Sequence, residues 1–93
     1  MPDPVLFYTV MFIVYIIRSE NGRYYIGSTE DVTERVRQHN AKLFKCWTNR
    51  FSGWVLIYSE EFSKRTDALK REREIKRMKG GKQFKALFDS LGS

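Results

Sequence analysis

The sequence predicts a small α/β domain of the α+β class, with strands and helices in the order ββαβαα. Short β-branched and aromatic runs are typical of strands, and two longer segments repeat apolar residues with the period of a helix. An Asn-Gly pair between the first two runs indicates a hairpin. Because 93 residues bury only one small core, we expect a single domain over residues 11–90, with an extension or disordered lead-in over residues 1–10.

Three runs of the chain are predicted strands. Residues 11–18 are apolar on both faces, which is typical of a central strand in a covered sheet. Asn21-Gly22 marks the turn, and residues 23–27 return as the second strand. Residues 54–58 form the third strand, and the basic, aromatic residues 42–53 before it show no clear periodicity, which indicates a loop.

The first helix is predicted by its capping residues. Asp31 followed by Glu34 is a capping box, and the helix that it begins reaches about Ala41. Its expected core stripe consists of Val32, Val36 and Leu43.

Two further helices follow the third strand. Ser63 or Thr66 is expected to cap the second helix, and Gly80-Gly81 to end it. Residues 82–90 then form a short last helix, with the inward side chains Phe84, Leu87 and Phe88.

Glu72 has an unusual position within the second helix. At about 100° per residue, Ala68, Leu69 and Ile75 cluster on one face, and Glu72 points to the middle of that face. Glu74 points the opposite way. A carboxylate aimed at a core costs several kcal/mol unless it is paired, coordinated or used, so the helix predicts an acidic site.

The positive charge of the chain is concentrated around the same helix. Residues 64–85 carry ten Lys and Arg against three Asp and Glu, whereas residues 1–63 carry seven of each. Concentrated positive charge favours a polyanionic partner such as nucleic acid. A solvated helix face is the alternative explanation.

Composition excludes several other classes of protein. The single cysteine, Cys46, excludes an intramolecular disulfide framework and a Cys-rich zinc site, and it favours a reducing compartment such as the cytoplasm. The uncharged residues 4–17 are too few to span a bilayer and follow an acidic start, so we expect neither a membrane anchor nor a signal peptide.

Two short motifs and three single residues give the chain a family resemblance. Residues 25–27 read Tyr-Ile-Gly, residues 13–15 read Ile-Val-Tyr, and Arg35, His39 and Glu72 follow in order. The chain resembles the GIY-YIG endonucleases over about residues 11–88, with Ile13 where the family usually has Gly. It is most similar to the short single-domain members and to the nuclease part of the excision-repair incision subunit. The resemblance implies a three-stranded antiparallel sheet flanked by helices.

The resemblance also implies a reaction and a set of catalytic residues. Glu72 would hold one Mg²⁺ or Mn²⁺ ion, and Arg35 would grip the phosphate. Tyr15 or Tyr25 would accept a proton from the attacking water, and His39 would assist that transfer or contact phosphate. The implied reaction is metal-dependent hydrolysis of DNA to a 5′-phosphate and a 3′-hydroxyl, in DNA repair or processing.

Further residues are candidates for contact with the nucleic acid: Gly27, Thr48, Asn49, Arg50 and Lys76. Gly27 would let a phosphate approach the backbone, and the others would supply polar or positive groups. Since a chain of this size carries no specificity domain, branched or single-stranded DNA is the expected substrate.

The hairpin loop decides whether the two tyrosines can share a site. A two-residue Asn21-Gly22 loop would place Tyr25 on the sheet face opposite Tyr15. A three-residue loop that begins at Glu20, with Gly22 left-handed, pairs Ile17 with Tyr25 and puts both phenols on one face. We predict the three-residue loop.

Simpler explanations of these residues lead to other classes of function. Tyr15 and Tyr25 would be ordinary strand aromatics, and Glu72 would form a buried ion pair with Lys76 or Arg35. The domain would then bind nucleic acid without cutting it, by stacking on Trp47 and by the charge of the basic helix. Alternatively, it would be an interaction module recruited by an acidic partner protein. The oligomeric state stays open.

Overall fold

The computed structural model describes residues 10–43 and 46–89. The strands are β1 (Phe12–Arg18), β2 (Tyr24–Thr29) and β3 (Val55–Phe62), and the helices are α1 (Val32–Ala41), α2 (Arg65–Met78) and α3 (Lys82–Asp89). A 3-10 turn covers Trp47–Arg50. The predicted α+β class and the order ββαβαα are confirmed. Residues 1–9, most of the expected extension, and Ser90 lie outside the described residues.

The sheet is antiparallel throughout, with the strand order β2-β1-β3. The prediction that the first strand is central is therefore confirmed. Val14 and Ile16 lie on one face in a core with Ala68 and Ile75 of α2 and Phe84 of α3. The other face is covered as well. Tyr15, Ile17 and Trp54 pack there with Val32 and Val36 of α1 and with Phe51, which directly follows the 3-10 turn.

The hairpin of β1 and β2 closes beyond the Ser19–Arg23 bond with the predicted three-residue loop, residues 20–22. Arg18 pairs with Tyr24, the Ser19 N–H donates to the Arg23 carbonyl, and Gly22 has a φ of 80°. Positive φ costs glycine little, whereas a residue with a Cβ is strained there. The register that follows sets Ile17 opposite Tyr25, as predicted, so the side chains of Tyr15 and Tyr25 share one face.

Several predictions at the ends of elements are wrong, among them the second strand, which extends to Thr29 rather than to residue 27. Leu43 is 61% exposed and not part of the core stripe, because α1 ends at Ala41 and Lys42 turns into the left-handed conformation with a φ of 58°. The N-cap of α2 is Lys64, which makes no side-chain capping bond, rather than Ser63 or Thr66. The third strand runs to Phe62 instead of Tyr58, because residues 59–62 continue to pair with β1.

Other helix boundaries agree with the sequence. The Asp31 side chain accepts a hydrogen bond from the Glu34 N–H, and α1 ends at Ala41, as expected. The second helix ends before Gly80, whose φ is 88°. Phe84 is buried in α3 with Leu87 and Phe88 packed beside it. Within the described part of the chain, no helix has both the length and the apolar character needed to cross a membrane.

Candidate active site

Two phenol rings converge on the backbone of Gly27. Tyr15 of β1 lies opposite Gly27 of β2, and its ring centroid is 6.1 Å from that of Tyr25. A Cβ at position 27 would lie 2.7 Å from the Tyr15 hydroxyl and 2.9 Å from a Tyr25 ring carbon. The close approach that Gly27 permits is therefore that of the two rings. Gly27 is buried, so its predicted contact with a DNA phosphate does not fit the structure.

His39 lies behind Tyr15 and is completely buried. Its Nε2 is 3.0 Å from the Tyr15 hydroxyl, and its Nδ1 is 3.1 Å from the Thr48 hydroxyl. Burial, followed by the charge of Arg35, lowers the pKa of His39 to about 4. The ring is therefore neutral at pH 7, with one nitrogen that donates and one that accepts. A phosphate contact of His39 does not fit a ring with no exposed surface, whereas proton transfer through Tyr15 stays a proposal.

Thr48 is also fully buried and does not face solvent. Its hydroxyl bonds His39, and its carbonyl accepts a hydrogen bond from the indole N–H of Trp54. The prediction that Thr48 contacts nucleic acid does not fit this structure, because the 3-10 turn directs the side chain inward. Thr48 holds the His39 ring in place.

Arg35 is one turn before His39 on α1 and is half-buried. Its charge and a hydrogen bond act to lower the pKa of Tyr15. It also lines an open cavity of about 340 Å³ together with Ser28 and Thr29 at the end of β2. Arg35 can thus reach both the phenol and a group that enters from solvent.

Glu72 extends from α2 towards the same two phenols. Its negative charge contributes to raising the pKa of both Tyr15 and Tyr25, although burial is the largest cause for each. Its side chain is 16% exposed and pairs with Lys76, with 2.7 Å between Oε2 and Nζ. The predicted acidic position among apolar residues is thus present, and so is the ion pair with Lys76 that was its simpler explanation.

Neither phenol ionises readily in this environment. Burial raises the pKa of Tyr15 more than Arg35 lowers it. Burial and the neighbouring Cys46 likewise raise the pKa of Tyr25, against the charge of Lys76. Both hydroxyls are therefore protonated at pH 7, and a phenolate would require additional positive charge in the site.

The carboxylate chemistry fits one hard divalent ion. Mg²⁺ commonly binds through one or two carboxylates while keeping waters and substrate phosphates as its other ligands. Glu72 is partly exposed and could serve as that single carboxylate once Lys76 moves aside. Within residues 10–43 and 46–89, no three His, Cys, Asp or Glu side chains form a metal cluster, so the described part of the chain contains no closed cage.

The remaining predicted DNA contacts differ in their accessibility. Lys76 is exposed, with its side chain 52% accessible, and Arg50 is exposed at the end of the 3-10 turn. Asn49 is half-buried in the same turn. Arg50 and Lys76 can therefore meet a ligand from solvent.

Two further residues lie against the site: Asn40, which was not identified from the sequence, and Trp47, which was predicted only to stack on nucleic acid. The Asn40 side chain bonds both the N–H and the carbonyl of Trp54, at 2.8 and 2.9 Å, and so ties the end of α1 to the start of β3. The Trp47 ring lies 6.0 Å from that of Tyr25. The sequence signal for Asn40 was its position: it is a polar residue that directly follows His39 near the end of a helix.

The fold is that of a GIY-YIG catalytic domain, and the chain belongs to the GIY-YIG family. Residues 11–85 match the model of the GIY-YIG catalytic domain. The motif residues Tyr15, Tyr25 and Gly27 all lie within the match.

Individual relatives carry the name UPF0213. A UPF0213 protein of Halobacterium salinarum is 37% identical over 78 residues, which cover 84% of this chain and 100% of the relative. One of Staphylococcus haemolyticus is 34% identical over 74 residues, covering 80% and 90%. The NMR structure of the UPF0213 protein BH0048 from Bacillus halodurans superposes with a TM-score of 0.51 at 26% identity, covering 87% of this chain and 84% of that one.

Proposed function

We propose that the protein is a metal-dependent endonuclease that hydrolyses phosphodiester bonds in DNA with one divalent cation. One observation carries the proposal. The charges of Arg35 and Glu72, from two different helices, both act on the phenols of Tyr15 and Tyr25, which share one face of the sheet. This hydrolysis requires three groups: a residue that accepts a proton, a cation that binds phosphate, and a carboxylate that binds a metal ion.

Tyr25 is the proposed proton acceptor for the attacking water. It is half-buried, whereas Tyr15 has no exposed surface. Tyr15 would instead hold the ring of His39 and the Arg35 guanidinium in position behind the reacting groups. Arg35, whose charge already acts on the Tyr15 phenol, would bind a phosphate oxygen.

Glu72 would hold the divalent ion, Mg²⁺ or Mn²⁺. When bound, such an ion supplies positive charge that stabilises the charge developing on the phosphate and leaving oxygens. Lys76 pairs with Glu72 in the structure without a metal ion. When the ion binds, Lys76 would be released to contact DNA. The same positive charge would oppose the effect of burial on the pKa of Tyr25.

The proposed substrate is DNA with a particular shape rather than a particular sequence. Branched or single-stranded DNA fits a small domain whose positive charge lies mainly in residues 64–85. The products would be a 5′-phosphate and a 3′-hydroxyl, and the role would be DNA repair or processing. We propose the cytoplasm as its compartment because Cys46 is a free thiol.

The direct test is cleavage of labelled single-stranded, duplex and branched DNA by the purified protein. Reactions with Mg²⁺, Mn²⁺ or a chelator are compared for the wild type and Tyr25→Phe. We expect cleavage that needs the metal, leaves 5′-phosphate ends and is lost in Tyr25→Phe. Cleavage that persists in Tyr25→Phe preparations would point to a contaminating nuclease and count against the proposal.

A second candidate function is nucleic-acid binding without cleavage. The Glu72–Lys76 ion pair favours it, because that pair satisfies the carboxylate without any metal. This alternative predicts salt-sensitive DNA binding, no hydrolysis with any metal, and affinity that is unchanged by Glu72→Ala.

A further inference from the structure

A second cavity opens beside the candidate active site, on the side of the 3-10 turn. Its volume is about 390 Å³, and its walls include Arg23, Trp47, Arg50, Phe51 and Lys79. Small-molecule sites commonly enclose about 300–1,000 Å³. The rings of Trp47 and Tyr25 are 6.0 Å apart, so the cavity begins where the site of the proposed reaction ends.

The charge of this cavity is entirely positive. Arg23, Arg50 and Lys79 line it, and no carboxylate is among the described residues of its wall. The cavity beside Arg35 has a similar volume of about 340 Å³ but contains Glu30, Asp31 and Glu34. Of these two spaces, the one beside the 3-10 turn is therefore the one suited to an anion.

Neighbouring positive side chains of this cavity repel one another. Burial, then the charges of Arg23 and Lys76, lowers the pKa of Lys79. In the described part of the chain, no ion pair joins Arg23, Arg50 or Lys79 to a carboxylate. An anion bound among them would relieve the mutual repulsion that the fold otherwise maintains.

Aromatic rings form the rest of the wall. The Lys79 Nζ lies 5.3 Å from the ring centre of Trp47, and the Arg23 guanidinium carbon lies 5.3 Å from that of Phe51. Trp47 packs against Trp54 and Phe51 yet stays 42% exposed. A large ring that is partly exposed beside three cations offers stacking area next to positive charge.

We propose that this cavity is a subsite for one unpaired nucleotide of a single-stranded DNA segment next to the phosphodiester that is cut. The phosphate would lie among Arg23, Arg50 and Lys79, and the base would stack on Trp47. In a duplex the base faces are already covered by neighbouring pairs, so only an unpaired base can use the ring. This inference rests on the proposed function in taking DNA as the ligand.

The test measures binding in a chelator, so that cleavage plays no part. The wild type, Trp47→Leu, Lys79→Gln and Lys70→Gln are titrated against a labelled single-stranded oligonucleotide and a blunt duplex of the same sequence. Lys70 is the matched control, because it is exposed, lies within α2 nine residues before Lys79, and is not part of the cavity wall. Thermal unfolding checks that each variant is folded.

We expect Trp47→Leu to weaken binding of the single strand about tenfold while leaving the duplex nearly unchanged. Lys79→Gln should also weaken single-strand binding and reduce the slope of log K against log salt by about 1. Lys70→Gln should do neither. If Trp47→Leu does not fold, the subsite is tested by comparing single-strand binding of Lys79→Gln with that of Lys70→Gln.

Equal losses for both DNAs, or no loss in Trp47→Leu and Lys79→Gln, would overturn the subsite. Failure of the subsite proposal can be distinguished from failure of the proposed nuclease function. A wild type that binds single strands through Trp47 but never cuts them keeps the subsite and removes the nuclease. A protein that cuts DNA with no dependence on Trp47 or Lys79 keeps the nuclease and removes the subsite.

Discussion

The ring of His39 lies between the hydroxyls of Tyr15 and Thr48, with no exposed surface. Burial and the charge of Arg35 lower its pKa from 6.5 to about 4. A neutral ring at this point fixes how the Tyr15 hydroxyl is hydrogen-bonded, because a protonated ring could only donate to it. The hydrogen-bonding arrangement of Tyr15, His39 and Thr48 therefore depends on a neutral His39 ring.

This burial predicts a loss of stability in mild acid. Above pH 6.5 the ring is neutral in both the folded and the unfolded chain. As the pH falls from 6.5 towards 4, the unfolded chain binds a proton that the folded chain does not. The free energy of unfolding should therefore fall, by up to about 1.4 kcal/mol for each pH unit in that window. Urea unfolding of the wild type and His39→Gln between pH 7 and pH 4 measures it.

The difference between those two proteins isolates the contribution of His39 from that of the carboxylates. We expect the wild type to lose more stability than His39→Gln on acidification. Parallel curves for the two proteins would contradict the lowered pKa.

Gly27 gives a second prediction for a single residue. A methyl group there would lie 2.7 Å from the Tyr15 hydroxyl and 2.9 Å from ring carbons of both Tyr15 and Tyr25. Gly27→Ala should therefore cost about 2 kcal/mol of stability by overpacking and displace both phenols. Gly81→Ala is the matched control, because the nearest atom there is the Met78 carbonyl oxygen at 3.4 Å. Equal unfolding free energies for the two variants would show that the rings do not constrain Gly27.

The two helices that present the charged site residues begin differently. The N-cap of α1 is Asp31, whose carboxylate accepts a hydrogen bond 3.0 Å long from the Glu34 N–H. The N-cap of α2 is Lys64, which makes no side-chain bond and adds positive charge at the positive end of the helix dipole. Helix α2 is therefore positioned by packing of Ala68 and Ile75 against the sheet.

This contrast predicts that the N-terminus of α2 can be improved. Lys64→Asp should raise the free energy of unfolding by about 1 kcal/mol, because it supplies a cap and removes a charge that opposes the dipole. Asp31→Ala should lower it by about the same amount. Urea unfolding compares both variants with the wild type. A Lys64→Asp protein no more stable than the wild type, beside an Asp31→Ala protein that is less stable, would show that position 64 is not a cap.

Across the whole molecule, the features predicted correctly from the sequence are those that local chemistry determines. Asp31 with Glu34 determines where α1 begins, and the alternation of β1 with Gly22 in the loop determines the hairpin register. The partial burial of Glu72 follows from its place among helical apolar positions, which is visible without knowledge of the fold. The predicted family is confirmed by the match over residues 11–85.

The features that were not predicted depend on contacts between distant parts of the chain. Thr48 points inward because the 3-10 turn packs on α1, and nothing in its neighbours distinguishes it from a surface threonine. The cavity beside that turn joins Arg23 of the hairpin to Lys79 after α2. Periodicity within one segment carries no information about such pairs.

The central proposal for the whole molecule is that Glu72 holds the metal ion needed for cleavage. Two variants on opposite faces of α2 test it. Glu72→Gln and Glu74→Gln remove the same charge from α2, but Glu74 pairs with Arg71, whereas Glu72 pairs with Lys76 and acts on Tyr15 and Tyr25. Cleavage of labelled DNA with Mg²⁺ is measured for both variants and the wild type at equal concentration. We predict that Glu72→Gln loses at least about a hundredfold in rate and that Glu74→Gln keeps the wild-type rate. Metal-dependent cleavage at the wild-type rate in Glu72→Gln would contradict the account.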